Sequence, residues 1–342
     1  MSIDNKIRWN RSKILSYNKL FNFVIGARSI GKTYDCKKWA IDDWIRKGKK
    51  TAWVMRYKTE IDSISTNSKF FEDILGAYKN YEFKIEGGVG YTREVAPGAD
   101  PKSIPWESFI SFKALSETAL KAISDPEVNK MIFDEFIPLP GIRYLNNEVE
   151  KFLEYYFTIS RDRDIRCIFL GNNVTTVSPY FTYFNVHPPK EGEIVTFDEI
   201  AIENCKNEAF TQAMNNTRFG KLVKGTHYAD YAIDNKSLVD LDTFVMDRPK
   251  QSKCVVRIDS QMGTMYLWMA RPKSLFVSKS GNPNITTWAV DESSHGEGKE
   301  RVDFAGTFAC SLIKNHYRQG TLFFDSAEVK ATFMIVCQKF LK

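Results

Sequence analysis

Eight residues near the start of the chain, Gly26-Ala27-Arg28-Ser29-Ile30-Gly31-Lys32-Thr33, match the pattern G-x-x-x-x-G-K-[ST]. The pattern suits a polyphosphate. Gly26 and Gly31 let the backbone curl so that its N–H groups surround a phosphate without Cβ interference. Lys32 brings a point charge to the β- and γ-phosphates, and the Thr33 hydroxyl can coordinate Mg²⁺. Average residue usage gives a chance match in about one chain per hundred of this length. The apolar run Phe21-Asn22-Phe23-Val24-Ile25 before the motif reads as a strand, and residues 34–47 after it read as a helix capped by Gly48. That helix presents its N-terminal amides and dipole to the same anion.

Lys130-Met131-Ile132-Phe133-Asp134-Glu135 supplies the second half of such a site, an apolar strand ending in two acids. Asp134 would hold the Mg²⁺ through water, and Glu135 would polarise the attacking water. Nucleotide kinases and GTPases do not normally place a glutamate there. Neither D-x-x-G nor N-K-x-D is found at the matching places, so the site reads as one for ATP hydrolysis. Asn172 follows the apolar run 165–170 as Asp134 follows its own strand. In a parallel sheet both emerge on one edge, where Asn172 can sense the γ-phosphate or orient water; a plain Gly-Asn-Asn turn is the other reading. Arg161 and Arg163, in Arg161-Asp162-Arg163-Asp164-Ile165-Arg166, are first and second candidates for an arginine finger reaching a neighbouring subunit. Surface ion pairing is the bland alternative for that run. Lys121 is a further candidate trans-acting cation.

The elements that must position these residues alternate. Residues 51–57 and 108–115 read as strands, 81–95 as a hairpin turning at Gly87-Gly88, and 148–159 as a helix with apolar residues at 3–4 spacing. This predicts an α/β fold with a mostly parallel sheet and flanking helices over 1–197. A polar, partly helical connector is expected over 198–235. A small α/β domain is expected over 236–342, with strands at 254–258, 265–270 and 285–290 and helices near 303–318 and 326–341.

Composition agrees with an ordinary folded chain: 342 residues, 43% hydrophobic, 26% charged, 48 basic against 42 acidic side chains and a net charge of +6. That surplus permits contact with nucleic acid without demanding it. No apolar run approaches a membrane span, and the first residues lack an apolar signal core, so neither a membrane nor secretion is expected. Six cysteines without a C-x-x-C pair and four scattered histidines point to buried thiols in a reducing compartment rather than to disulfides or a protein metal cage.

The chain resembles the DNA-packaging ATPases of phi29-like phages. The resemblance is carried by Leu20–Arg28, Ile30-Gly31-Lys32, Arg56-Tyr57-Lys58, Phe133-Asp134-Glu135-Phe136, Asn147-Glu148-Val149, Arg166-Cys167-Ile168, Pro179-Tyr180-Phe181 and Thr217-Arg218-Phe219-Gly220. It covers most of residues 15–235 and is weak beyond 236. It implies a RecA-like P-loop NTPase of the additional-strand catalytic-glutamate class, using ATP and Mg²⁺. The subunits would form a ring, a pentamer by family resemblance, at the portal vertex of a prohead in the host cytoplasm, driving double-stranded DNA inward. Whether a structural packaging RNA joins the portal there stays open. It implies an RNase H-like, degenerate nuclease fold for 236–342. Lys121 and one of Arg161 or Arg163 align with the family's trans-acting basic residues, the arginine run after a one-residue shift. Ser29 departs from a glycine in the family pattern.

Within 236–342, Asp259, Asp291, Glu292 and Asp325 are the available acids and lack a nuclease spacing. Basic residues outnumber acidic ones there by 15 to 11, with Arg248, Lys250, Lys253 and Arg257 clustered. Contact with nucleic acid or the portal is the expected role. The alternatives to a packaging motor are a P-loop helicase or partition-type ATPase, and a nucleotide-dependent assembly scaffold. Glu135 argues against the scaffold, which has no use for a water-activating acid.

Overall fold

The computed structural model describes residues 8–67, 69–117, 126–139, 142–173, 177–233, 235, 244–271, 273–296 and 303–341. Along the chain these form α1 (Ser12–Leu15), β1 (Phe21–Gly26), α2 (Lys32–Lys47), β2 (Lys50–Met55), α3 (Lys58–Asn67), β3 (Tyr81–Glu86), β4 (Val89–Glu94), β5 (Glu107–Ala114), β6 (Val128–Asp134), α4 (Glu148–Ser160) and β7 (Arg166–Asn172). They continue with α5 (Pro179–Tyr183), β8 (Ile194–Phe197), β9 (Ile200–Asn204), α6 (Glu208–Asn215), α7 (Arg218–Val223) and α8 (His227–Ala232). The remainder is β10 (Lys253–Ser260), β11 (Gly263–Ala270), β12 (Ser274–Ser278), β13 (Thr287–Ala289), α9 (Phe308–Arg318), β14 (Leu322–Phe324) and α10 (Ala327–Cys337). Two compact units result. One comprises Met1–Pro138, Glu150–Asn173 and Pro188–Lys236; the other comprises Leu139–Val149, Val174–His187 and Ser237–Lys342. Among the described residues no helix is long and apolar enough to cross a membrane.

The first unit is built on a nine-stranded sheet in the order β3-β4-β5-β2-β6-β7-β1-β9-β8. Its six central strands are parallel; at one edge β4 runs against β5 and β3 against β4, and at the other β8 runs against β9. Strand β1 is buried throughout, as its apolar sequence requires. Alternation splits its side chains between two layers. Val24 joins Ile132, Ile168 and Leu170 in a core with Cys36, Ala40 and Ile41 of α2. Phe21, Phe133 and Phe169 face the other way, onto Phe152 of α4, and Phe23 stacks on Phe169 with ring centroids 4.2 Å apart. Each such ring, fully buried, contributes about 1.5–3 kcal/mol.

Helix α2 starts immediately after Gly31, at φ 100°, and ends at Gly48, at φ 62°, whose N–H returns to the Trp44 carbonyl while the Lys49 N–H reaches that of Asp43. Both conformations are left-handed and favour glycine. The hairpin between β3 and β4 turns at Gly87 and Gly88, both at positive φ, as its sequence predicts.

Four elements depart from expectation. Residues 200–204, read as the beginning of the connector, form β9, which pairs parallel with β1 and extends the sheet past residue 197. Its short apolar stretch lies among polar residues that hid it. Helix α3 occupies a segment for which no element was expected. In the second unit β12 and β14 are additional strands. That unit holds a five-stranded sheet in the order β13-β10-β11-β12-β14, antiparallel across β10, β11 and β12 and parallel at both edges. Residues of α9 and α10, among them Cys310, Ile313, Phe333 and Val336, share a core with Ile258, Leu267 and Val277 of its strands.

Candidate functional site

Strand β1 delivers Gly26 to its C-terminal end, and the loop to α2 wraps back over it. A Cβ on Gly26 would lie 2.8 Å from both the Cys205 Cβ and the Ile30 Cδ1, so no other residue fits without movement. Ala27 and Ile30 are buried, Arg28 is half-buried and Ser29 is exposed. Ser29 holds φ at 62°, where a glycine is more at ease. A non-glycine residue in that conformation carries a backbone cost of about 1–2 kcal/mol.

Lys32 is 7% exposed. Its Nζ donates to the Gly26 carbonyl at 3.0 Å, the Ala27 carbonyl at 2.8 Å and the Asn172 Oδ1 at 3.3 Å. Burial pushes its pKa down to about 8, against opposing attraction from neighbouring acidic groups. Asn172 reaches the lysine because β1 and β7 are in register, Gly26 opposite Asn172. The sheet thus places an amide oxygen on the Lys32 ammonium.

The Thr33 Oγ1 donates to the Asp134 Oδ1 at 3.3 Å, across a sequence separation of 101 residues. Burial, and then the charge of Glu135, push the Asp134 carboxyl up to about 6. A hydroxyl and a carboxylate side by side are hard oxygen donors of the kind Mg²⁺ takes when most of its shell is phosphate and water. No cluster of three or more His, Cys, Asp or Glu side chains that could hold a metal ion exists among the described residues.

Glu135 sits at φ 57°, a left-handed position for a non-glycine residue. Its backbone is held there by Arg56, itself 2% exposed. The Arg56 Nη1 donates to the Glu135 carbonyl at 2.9 Å and its Nη2 to the Phe136 carbonyl at 2.8 Å, while the Phe136 N–H donates to the Leu170 carbonyl. The turn ends β6 sharply and brings Glu135 into a cleft of about 560 Å³ lined by Thr33, Lys37, Met55, Ile64, Asp134 and Glu135 among others.

Two members of this site were not singled out from the sequence. Lys37 lies one helical turn beyond Thr33, and that spacing was the available signal. Its Nζ donates to the Phe70 carbonyl and to Asp73, and its charge favours ionised Asp134. Arg56 had no local signal, because its role arises from a contact 79 residues away.

The candidate trans-acting residues separate. Arg163 spends its guanidinium on its own chain, donating to the Pro126 and Val128 carbonyls at 2.6 and 2.7 Å and to the Ile159 carbonyl. That geometry ties α4 to the beginning of β6. Arg161 is exposed, at φ 51°, and its side chain makes no hydrogen bond or ion pair among the described residues. Lys121 lies outside the described residues.

In the second unit three of the four acids singled out, Asp259, Asp291 and Asp325, have partners of their own. Asp259 accepts from the Arg257 Nε and Nη2 at 2.9 and 3.1 Å and from the Thr264 hydroxyl at 2.8 Å. Asp291 caps the turn at Ser294 and accepts from the Gln261 N–H, and Asp325 lies 3.7 Å from Arg248.

Comparison with known proteins bears on the same residues. A family model described as podovirus DNA encapsidation protein (Gp16) matches residues 3–340. The chain is 33% identical to the DNA packaging protein of Bacillus phage PZA over 335 residues, 96% of each chain. It is similar to a chain in the solved bacteriophage phi29 genome packaging motor assembly, with a TM-score of 0.68 and 27% identity over 98% of this chain and 99% of that one. It is also similar to the N-terminal domain of the DNA packaging ATPase from phi29, with a TM-score of 0.51 and 32% identity over 59% of this chain and 98% of that domain.

Proposed function

Since the chain belongs to the podovirus DNA encapsidation protein (Gp16) family, we propose that it is an ATP-driven ring motor that moves double-stranded viral DNA into a preformed prohead. The observation that carries this reading is the Thr33–Asp134 contact, with Glu135 adjoining it in one cleft. Gly26 to Thr33 bind the triphosphate, and Lys32 exchanges its loop carbonyls for the β- and γ-phosphate oxygens. Thr33 and Asp134, the latter through water, hold the Mg²⁺, which neutralises charge on the phosphates when bound. Glu135 accepts a proton from the water that attacks the γ-phosphorus, and Asn172 reads whether that phosphate is present. Arg161 from a neighbouring subunit neutralises the transition-state charge, with Lys121 a second trans-acting cation.

Of residues 1–197, the segments up to Pro138, from Glu150 to Asn173 and from Pro188 on serve, with β9, as the ATPase domain, α6 to α8 as the connector, and 236–342 as the part that meets nucleic acid or the portal. Pairing of Asp259 with Arg257 supports the reading that the second unit is not an active nuclease. The ring, a pentamer by family resemblance, acts at the portal vertex in the host cytoplasm, with portal and prohead as partners.

The test is ATP turnover by the purified protein, alone and with double-stranded DNA plus matching proheads, with Glu135→Gln beside it. Strong stimulation, loss of turnover in the variant and protection of DNA inside proheads are expected. Turnover indifferent to both additions overturns the motor reading, and strand separation in its place points to a helicase.

A further inference from the structure

We propose that Asn173 and Asn235 form a latch through which the nucleotide site moves the connector. The latch rests on the reading above, in which Lys32 takes the phosphates and α6 to α8 form that connector. Asn173 directly follows the Asn172 that meets Lys32, and both asparagines of the latch are 7% exposed. The Asn173 side-chain amide donates to the Asn235 carbonyl, across a separation of 62 residues. Asn235 in turn donates from Nδ2 to the Cys205 carbonyl at 3.0 Å and lies 3.4 Å from the Asn204 Oδ1, where β9 runs on toward α6. The Thr211 hydroxyl of α6 donates to the Ile233 carbonyl at 3.2 Å, just past α8. Asn235 holds φ at 56°, a left-handed conformation that asparagine tolerates. The end of β7, the end of β9 and both ends of the connector thus meet at one buried polar group.

Nucleotide reaches this group through one shared acceptor. The Gly26 carbonyl accepts from the Lys32 Nζ at 3.0 Å and from the Asn173 N–H at 3.3 Å. When Lys32 exchanges its loop carbonyls for phosphate oxygens, that carbonyl is left to Asn173 alone, and the Asn172 amide turns to the phosphate. Consecutive peptide planes share a Cα, so a shift at Asn172 carries Asn173 with it. The Asn235 Oδ1 is buried without a hydrogen-bond partner among the described residues. An unpaired buried acceptor is costly, so the group is incompletely satisfied and gains from a second arrangement. Position gives the latch its reach. Asn173 is the last residue of one segment of the first unit, and Asn235 the last but one of another. They stand at two of the three points where the chain passes on into the second unit.

The test is hydrogen exchange of the full-length protein, with and without a non-hydrolysable ATP analogue, in wild type, Asn173→Ala and Asn235→Gly. Glycine suits a φ of 56°, so Asn235→Gly keeps the fold should the alanine variant lose it. In wild type, the analogue is expected to change amide exchange across residues 208–233 by about tenfold. In both variants that change should fall below about twofold, while the analogue binds within about threefold of wild-type affinity. An undiminished change in the variants overturns the latch, as does a wild type whose connector ignores the analogue. Loss of analogue binding together with melting temperature in both variants also overturns it, because the bond is then merely structural. DNA- and prohead-stimulated turnover is measured beside it. Stimulation intact in a protein whose connector does not respond leaves the motor reading standing and the latch wrong. A responsive connector in a protein whose turnover ignores both additions sinks the motor reading and leaves the latch as a nucleotide switch.

Discussion

The guanidinium of Arg56 holds the carbonyls of Glu135 and Phe136 at 2.9 and 2.8 Å, so a buried cation at the end of β2 sets the backbone from which the candidate general base projects. Arg56 touches no reacting atom in this arrangement and acts as a positioning residue. Arg56→Lys keeps the charge and loses the planar two-donor fork. It is expected to lower kcat about tenfold or more with little change in KM for ATP. Arg56→Ala, which leaves two buried carbonyls unpaired, should also cost about 2–4 kcal/mol of stability. Steady-state turnover and urea denaturation of the two variants check both statements; equal loss of kcat and apparent ATP affinity in Arg56→Lys contradicts them.

Arg161 and Arg163 should fail in different ways. Arg161→Ala removes an exposed side chain, so its melting temperature is expected to stay within about 1 °C of wild type. Its DNA- and prohead-stimulated turnover should fall by about a thousandfold, the scale of a lost finger. Arg163→Ala breaks bonds to three carbonyls of its own chain and should instead unfold at a lower temperature by several degrees. Calorimetry beside the turnover assay separates the two, and a destabilised Arg161→Ala would count against the assignment.

Lys130 and Asp43 form a buried ion pair at 2.8 Å, tying the strand of Asp134 to the helix of Lys32. Burial lowers the Lys130 pKa from 10.5 to about 8. Below pH 8 both folded and unfolded chains carry the proton, so the cost of the buried charge is present in full, on the order of 3 kcal/mol. Between pH 8 and 10.5 the folded state sheds its proton first, and the cost is relieved. Lys130→Met alone leaves Asp43 with the exposed Lys47 and a long 3.5 Å bond from the Asn129 amide, and is expected to destabilise. Lys130→Met/Asp43→Leu should match or exceed wild-type stability at pH 7. That advantage should shrink as the pH rises from 8 to 10, read from urea midpoints at several pH values.

Gly26 leaves no room for a methyl group. Gly26→Ala should cost about 1–3 kcal/mol and weaken ATP binding, because the new Cβ meets Cys205 and Ile30 at 2.8 Å. The double variant Gly26→Ala/Cys205→Gly should recover part of the ATP affinity, measured by calorimetric titration. No recovery would place the clash on Ile30 instead.

The phosphate loop, the acidic pair ending β6, the hairpin at Gly87-Gly88 and the α/β alternation were all legible in the sequence. Each depends on residues within a turn or two of one another, and local backbone preference and hydrophobic period read at that range. β9 escaped notice because three apolar residues among polar ones carry too short a pattern. The same holds for β14, whose strand character comes from pairing beside β12.

What the sequence by itself determined, then, is the chemistry available at Lys32, Thr33, Asp134 and Glu135, since residue type and spacing state it without a fold. The tertiary structure alone decided who serves that chemistry. Asn172 meets Lys32 through the register of β1 with β7, and Arg56 holds Glu135 across 79 residues. Arg163 is committed to its own carbonyls, while the Arg161 side chain makes no hydrogen bond or ion pair among the described residues. These assignments rest on contacts between segments distant in the chain. Such contacts follow from strand order and register, which no single stretch of residues encodes.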